Sequence, residues 1–262
     1  MKIKSATVSA IVIAKNEESR IWKCLSSLSW TDEQIVVDNG SSDETLKAAE
    51  EAGAKVWQSH DLDFSKLRNI GKEKSSGKWI LYIDADEIVP EALRQEIQTV
   101  ITSKDSERSS IAFFVKRRNY YLGKPWPYQD KMERLFLKEA LVRWVGQLHE
   151  RPIVHGSVGV LTEPLVHNTH RTLEEMVEKT NEWSEIEAKL RFQHHHPSIV
   201  RWRLLRVMMT GFYESFIRQG GWKAGTPGWV ESIYQAFSMF ITYAKLWELQ
   251  QSHYEHDYKS NS

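Results

Sequence analysis

The chain has 262 residues, enough for one α/β domain with a large core and a smaller appendage. Its 35 basic and 35 acidic side chains cancel, which removes any global-charge argument for nucleic acid or for an acidic partner. A single cysteine, Cys24, excludes an internal disulfide and fits a reducing compartment, so the expected location is the cytoplasm.

The apolar run between Lys4 and Lys15 has no small-residue cleavage site and turns polar at once. It reads as a buried strand over residues 9–13 and not as a signal peptide. Residues 17–28 place Ile21, Cys24, Leu25 and Leu28 at helical spacing, with Asn16 as a candidate cap. Residues 34–38 form a second strand. It runs into Asn39-Gly40-Ser41-Ser42-Asp43, a turn and helix start in which Ser42 or Asp43 is the expected cap. A helix over 46–52 closes at Gly53, a strand follows at 54–57, and a helix over 67–74 stops before Gly77. The fourth strand, 79–83, leads into Asp84-Ala85-Asp86-Glu87, and Pro90 opens a helix over 91–101. Alternating strands and helices predict βαβ units and a mainly parallel sheet covered by helices on both faces.

Residues 111–115 and 133–137 predict two more strands, a mixed or antiparallel extension of the sheet, with turn signals at Gly123-Lys124-Pro125. From Thr172 onward the pattern is helical. His194-His195-His196 precedes Pro197 and reads as a polar loop, because consecutive side chains point in different directions and rarely share one ion. His149, His155, His167 and His170 stand singly and receive no metal. Trp occurs 11 times, and core packing is the expected role for most of these residues.

In a parallel sheet, ligands bind outside the carboxyl ends of the strands. Asn16, Asp38 and Asp84 each follow an apolar run directly, so all three are expected along one crevice. Asp84 and Asp86 are two carboxylates close enough to repel, and a hard cation such as Mg²⁺ or Mn²⁺ would neutralise them while sharing its shell with substrate phosphates. Asp38 can accept hydrogen bonds from a base N–H or a ribose hydroxyl. Arg68 adds a cation near the crevice.

The segments SAIVIAKNEE, IVVDNGSSDET and LRNIGKEKSSGKWILYIDADE, with the spacing between them, resemble the nucleotide-binding half of family 2 glycosyltransferases, which have the GT-A fold. The resemblance implies an α/β GT-A domain over 1–170, divided into nucleotide-sugar binding over 1–105 and an acceptor side over 106–170. A helical appendage over 171–262 follows. It implies contacts to a nucleotide sugar, UDP-linked, from Ala14, Asn16, Glu17, Asp38, Arg68 and Asp84, with Asp84 and Asp86 meeting the metal. It also implies inversion at the anomeric carbon.

Arg134-Leu135-Phe136 and Trp144-Val145-Gly146-Gln147-Leu148-His149-Glu150 are similar to the acceptor-side segment of a subgroup that includes bacterial lipopolysaccharide inner-core glucosyltransferases. The pattern from Gly211-Phe212-Tyr213 to Gly228 is similar as well. Inversion needs a base for the acceptor hydroxyl. The family places a carboxylate in this segment, which implies Glu150, with His149 second and Asp130 third.

Arg201-Trp202-Arg203-Leu204-Leu205-Arg206-Val207-Met208-Met209 mixes cations, an aromatic ring and aliphatic groups, as do helices that lie on anionic membranes. No run is long enough to span one. The expected partners are a nucleotide-sugar donor, a lipid-linked or envelope saccharide acceptor and the inner face of the cytoplasmic membrane, with no nucleic acid. Two alternatives remain: transfer to polyprenyl phosphate, which normally comes with spanning helices, and a membrane-docked, non-catalytic nucleotide-sugar-binding protein. Nucleotidyl transfer lacks its glycine-rich, basic N-terminal signature here.

Overall fold

The computed structural model describes residues 7–61, 63–103, 110–146, 150–169 and 172–260, with side chains as far as residue 252. The chain divides into two compact units, residues 1–118 with 129–167, and residues 119–128 with 168–262.

The first unit is built on a mixed, mainly parallel sheet. In chain order it contains β1 (Val8–Ala14), α1 (Ile21–Ser27), β2 (Glu33–Asp38), α2 (Thr45–Glu51), β3 (Lys55–Gln58), α3 (Phe64–Lys74), β4 (Trp79–Asp84), β5 (Glu87–Ile88) and α4 (Glu91–Thr102). Next in the chain come β6 (Ala112–Tyr121), whose tip belongs to the second unit together with β7 (Lys124–Pro125), and then β8 (Lys131–Leu137), β9 (Leu141–Val145), β10 (Arg151–Val154), β11 (Val158–Val160) and β12 (Leu165–Asn168). The strand order is β3-β2-β1-β4-β8-β6-β12-β5. β1 is parallel to β2 and β4, and β2 to β3, whereas β8 runs antiparallel to both β4 and β6. The expected GT-A-type arrangement is therefore present, with its antiparallel extension.

Strand periodicity explains why both faces are apolar. Successive side chains point to opposite faces. Val8, Ala10, Val12 and Ala14 join Val36, Leu81 and Ile83 in one core with Ile21, Cys24 and Leu25 of α1 and Leu93 and Ile97 of α4. Ile11, Ile13, Ile35, Val37, Ile80 and Tyr82 join Leu67 of α3 and Trp144 of β9 in the other. Gly71 lets α3 lie close on β1, since a Cβ there would sit 2.4 Å from Ile11 Cγ2.

Three local expectations are corrected. The helix predicted from residue 17 begins at Ile21, because the amides of Arg20 and Ile21 both turn back to the Glu17 carbonyl. Asn16 does not cap that helix; its backbone is left-handed (φ 55°) and its Oδ1 accepts from the Ser42 amide instead. α3 starts at Phe64, three residues early, because the Asp63 carboxylate accepts from the Ser65 amide at 2.9 Å and serves as N-cap. The cap expected before α2 is corrected as well: the N-cap position is Glu44, which makes no side-chain cap, and Asp43, one residue earlier, accepts from the Thr45 amide at 3.1 Å.

The second unit contains the tip of β6 with β7, and the helices α5 (Leu173–Gln193), α6 (Arg201–Tyr213) and α7 (Thr226–Ser260). α6 continues into one π-helical turn, Glu214–Arg218, and a 3-10 turn, Gly221–Ala224, before α7 begins. Ala188, Ile199, Val207, Tyr243 and Leu246 form its core. At the elbow two backbones touch: a Cβ on Gly228 would lie 1.8 Å from the Gly221 carbonyl oxygen. The three histidines before Pro197 do form a loop, with His195 left-handed and His196 against the Tyr243 ring. The expectation that most tryptophans pack cores fails. Trp22, Trp57, Trp183, Trp202, Trp222, Trp229 and Trp247, seven of the 11, are exposed, and four of these belong to the segment from residue 202 onward. Among the described residues no helix is long and apolar enough to cross a membrane.

Candidate active site

The register of the sheet brings the predicted residues together. Ala14 pairs with Asp38, and Ile13, one residue back on β1, pairs with Asp84. The carboxyl ends of β2, β1 and β4 therefore lie side by side, as the sequence implied. The loops after β1 and β2 are laced together. The Asn16 amide donates to Ser41 Oγ at 2.9 Å, and the Glu17 amide to Thr45 Oγ1 at 2.7 Å. The Glu17 carboxylate lies 2.7 Å from Arg20 Nε. Asp38 is fully buried and serves this loop: its Oδ2 accepts from the amides of Gly40 and Ser41, both at 3.0 Å, and its Oδ1 from the Ser41 hydroxyl.

At the end of β4 the charges are organised by arginines. Asp84 Oδ1 accepts from Arg134 Nη1 at 3.1 Å and Arg68 Nη2 at 3.2 Å, and Asp84 Oδ2 accepts from Arg134 Nη2 at 2.5 Å. The compensation expected from a cation is thus supplied at Asp84 by two guanidinium groups. Burial pushes the Asp84 pKa up, but Arg134 and Arg68 outweigh it and hold the carboxyl well below the usual carboxylate range. Arg134 is fully buried on β8 and also reaches Glu87 at 2.8 Å. Burial raises the Glu87 pKa even against the pull of Arg134. Arg117 on β6 approaches Glu87 at 3.6 Å and donates to Asp130 from Nε at 2.9 Å. Removing one member of such a buried set leaves a charge uncompensated, a loss of about 3–5 kcal/mol.

Asp86 has a different neighbour. β12 runs antiparallel to β5 with His167 opposite Glu87, and this carries His167 Nε2 to 3.4 Å from Asp86 Oδ2. Burial would lower the His167 pKa, and the adjacent Asp86 carboxylate overrides that and raises it. Among the described residues no three His, Cys, Asp or Glu side chains converge on one point. The Asp86 carboxylate suits Mg²⁺ or Mn²⁺, and His167, once deprotonated, would add a nitrogen donor that Mn²⁺ accepts more readily than Mg²⁺, provided phosphate oxygens complete the shell.

Glu150 arrives from the second half of the sheet domain. Its Oε1 accepts from Arg68 Nε at 3.0 Å and Nη2 at 2.9 Å, so Arg68 bridges Glu150 and Asp84. The segment is placed by Asn69, whose side chain binds both the amide and the carbonyl of Trp144, at 2.9 and 3.0 Å. The Trp144 ring lies 4.9 Å from the Arg68 guanidinium. Gly146 then takes φ 101°, a backbone that only glycine adopts readily. His149 lies outside the described residues. Arg68 Nη1 is buried and has no hydrogen-bond partner among the described residues. Behind the site, Cys24 Sγ sits 3.6 Å from the Asp84 carbonyl oxygen, and burial raises the thiol's pKa.

Of the positions read from the sequence, Arg68, Asp84 and Glu150 are in contact, and Asp86, two residues after Asp84, pairs with His167 instead. Glu87, His167 and the central position of Arg134 were not legible. His167 and Arg134 reach the site through strand pairings between distant segments, which no local spacing announces, whereas Glu87 stands three residues after Asp84 and accepts from its amide at 2.8 Å.

Comparison with known proteins bears on the class of chemistry. The chain is 30% identical over 256 residues to an uncharacterized glycosyltransferase of Rickettsia bellii, covering 92% of this chain and 86% of that one. It is 27% identical over 261 residues to the lipopolysaccharide core biosynthesis glycosyltransferase LpsC of Rhizobium meliloti, covering 94% of each. Among solved structures it matches glucosyl-3-phosphoglycerate synthase of Mycobacterium tuberculosis, in complex with Mn²⁺, UDP and glucosyl-3-phosphoglycerate. That match has a TM-score of 0.39 at 21% identity and covers 52% of this chain and 58% of that one. The sequence profile of Glycosyl transferase family 2 matches residues 9–207, and the chain belongs to that family.

Proposed function

We propose that the chain is an inverting glycosyltransferase that moves a sugar from a nucleotide sugar, UDP-glucose or a similar donor, to a hydroxyl of a cell-envelope glycan such as lipopolysaccharide core. The observation that carries the reading is the convergence of Arg68, Asp84 and Glu150, from α3, β4 and the segment after β9, on one charged site at the strand ends. The acceptor class is supported by the likeness to LpsC over almost the whole chain. The choice of a uridine nucleotide is supported by the resemblance of the strand-end segments to family 2.

Transfer forms a bond between the acceptor oxygen and the anomeric carbon and breaks the bond to the diphosphate. Glu150 receives the acceptor proton in this reading, and the nucleoside diphosphate leaves with the bonding electron pair. Arg68 Nη1, buried and without a hydrogen-bond partner among the described residues, is a donor for a diphosphate oxygen. Such contact would draw Arg68 away from Glu150 and leave the carboxylate to the acceptor. Asp86, with His167 beside it, would hold Mn²⁺, and Asp86 alone of the pair suits Mg²⁺, with Asp84 fixing the strand end through Arg134. Held by these residues, a divalent cation would supply positive charge to offset the negative charge developing on the leaving diphosphate. Asp38 and Asn16 shape the loop against which the nucleoside lies.

An envelope glycan is anchored in lipid. The basic segment carrying Arg201, Arg203 and Arg206 supports work at the inner face of the cytoplasmic membrane.

The test is cleavage of UDP-glucose with Mn²⁺ by the wild-type chain and by Asp86→Ala. The variant is expected to lose at least about 10²-fold in rate while keeping its circular dichroism. Full activity of Asp86→Ala in the presence of a chelator would remove the metal from the mechanism. A wild-type chain that binds UDP-glucose but neither cleaves nor transfers it would make the protein a binding module.

A further inference from the structure

The solvent side of α6 is built the wrong way round for a helix facing water. A surface helix normally turns its apolar stripe to the core and its polar side outward. On α6 the outward positions at helical spacing are Trp202, Leu205 and Met209, exposed by 58%, 67% and 68%. Tyr213 continues the line, and at the elbow Trp222 and Trp229 are 55% and 51% exposed. The stripe joins the elbow through rings in contact. Phe216 lies 5.1 Å from Phe212 and 4.4 Å from Trp229. A contiguous exposed apolar strip of this kind marks an interaction surface.

The charges around it identify the partner. Residues 198–230 contain five basic side chains and one acidic one. That acidic residue, Glu214, is neutralised by Arg218 at 3.0 Å. Arg203 and Arg206 place their guanidinium groups 5.8 and 5.4 Å from the Trp202 ring, so cations flank the apolar stripe without interrupting it. A second copy of the chain meeting this face symmetrically would set arginines against arginines with no carboxylate on α6 to offset them. An anionic bilayer satisfies both halves of the pattern, phosphates for the arginines and the acyl boundary for the rings.

We propose that α6 and the elbow before α7 form an apolar wedge that inserts into the interfacial layer of an anionic membrane. The inference rests on the envelope-acceptor reading and changes its physics: attachment is mainly hydrophobic, with the arginines steering and positioning. Binding should therefore survive salt that abolishes purely electrostatic docking.

The experiment is co-sedimentation with vesicles of phosphatidylglycerol and phosphatidylethanolamine at low and high salt, alongside UDP-glucose cleavage in solution. Three proteins are compared: wild type, Leu205→Asp with Met209→Asp, and Arg201→Glu with Arg203→Glu and Arg206→Glu. Both aspartates replace exposed side chains, and unchanged cleavage confirms that the fold is kept. The wild type is expected to stay bound at high salt, and the aspartate pair to bind about 10²-fold more weakly at either salt. Normal binding by the aspartate pair overturns the wedge, and if the glutamate triple then fails to bind, docking is electrostatic only. A wild type that ignores vesicles and is a dimer, made monomeric by the aspartate pair, also overturns it and makes the face a contact between copies. A wild type that binds vesicles through these residues but cleaves no sugar nucleotide leaves the wedge standing and removes the glycosyl transfer.

Discussion

Glu150 is held in place by Arg68 before any substrate arrives, and this decides what its removal should do. Glu150→Gln keeps the size of the side chain and leaves Arg68 paired with Asp84. Turnover is expected to fall by roughly 10²–10⁴-fold, the usual worth of a general base, with UDP-glucose affinity by calorimetry unchanged. His149→Ala should cost less. Normal turnover by Glu150→Gln beside a dead His149→Ala would move the base to His149. Loss of donor affinity in both variants would assign the segment to the nucleotide. At this scale the sequence was informative wherever a polar residue ended an apolar run. Asp38, Asp84 and Asp86 were found that way. Arg134 on β8 and His167 on β12, which contact Asp84 and Asp86, were not, because they lie 50 and 81 positions further along.

The elements were read well where periodicity is strong and less well where a cap or a long-range pairing sets the boundary. β1, β2 and β4 are buried on both faces, so their near-continuous apolar runs identify them. The start of α3 was missed because Asp63 caps it through a side chain that periodicity does not register. β6 runs for ten residues where five were predicted, since its later half is polar and is held by pairing with β8 and β7. The elbow between α6 and α7 was visible only as a cluster of glycines, and the structure gives the reason for one of them. Gly228 carries backbone against backbone at Gly221, where no side chain can rotate away. Gly228→Ala is expected to destabilise the chain by about 1–3 kcal/mol, read as a lower denaturation midpoint. An unchanged midpoint would mean that the elbow yields at no cost.

The whole molecule consists of two compact units of different character, a sheet domain that carries the charged site and a helical unit with an apolar outer face. With two units, unfolding need not be all-or-none, and a single melting temperature would blur them. The chain itself offers a finer probe. Its only cysteine lies in the sheet domain, closed off from solvent and pressed on the carbonyl of Asp84. A thiol reagent can reach Cys24 only while α1 and the end of β4 are parted, so the labelling rate counts those openings one molecule at a time. If the donor needs that strand end intact, UDP-glucose with Mn²⁺ at about 100 times its Kd should slow labelling about a hundredfold. Labelling that ignores the donor would place the nucleotide away from β4. Occupancy of the site can then be followed through the clock of one sulfur atom, with no assay of the product.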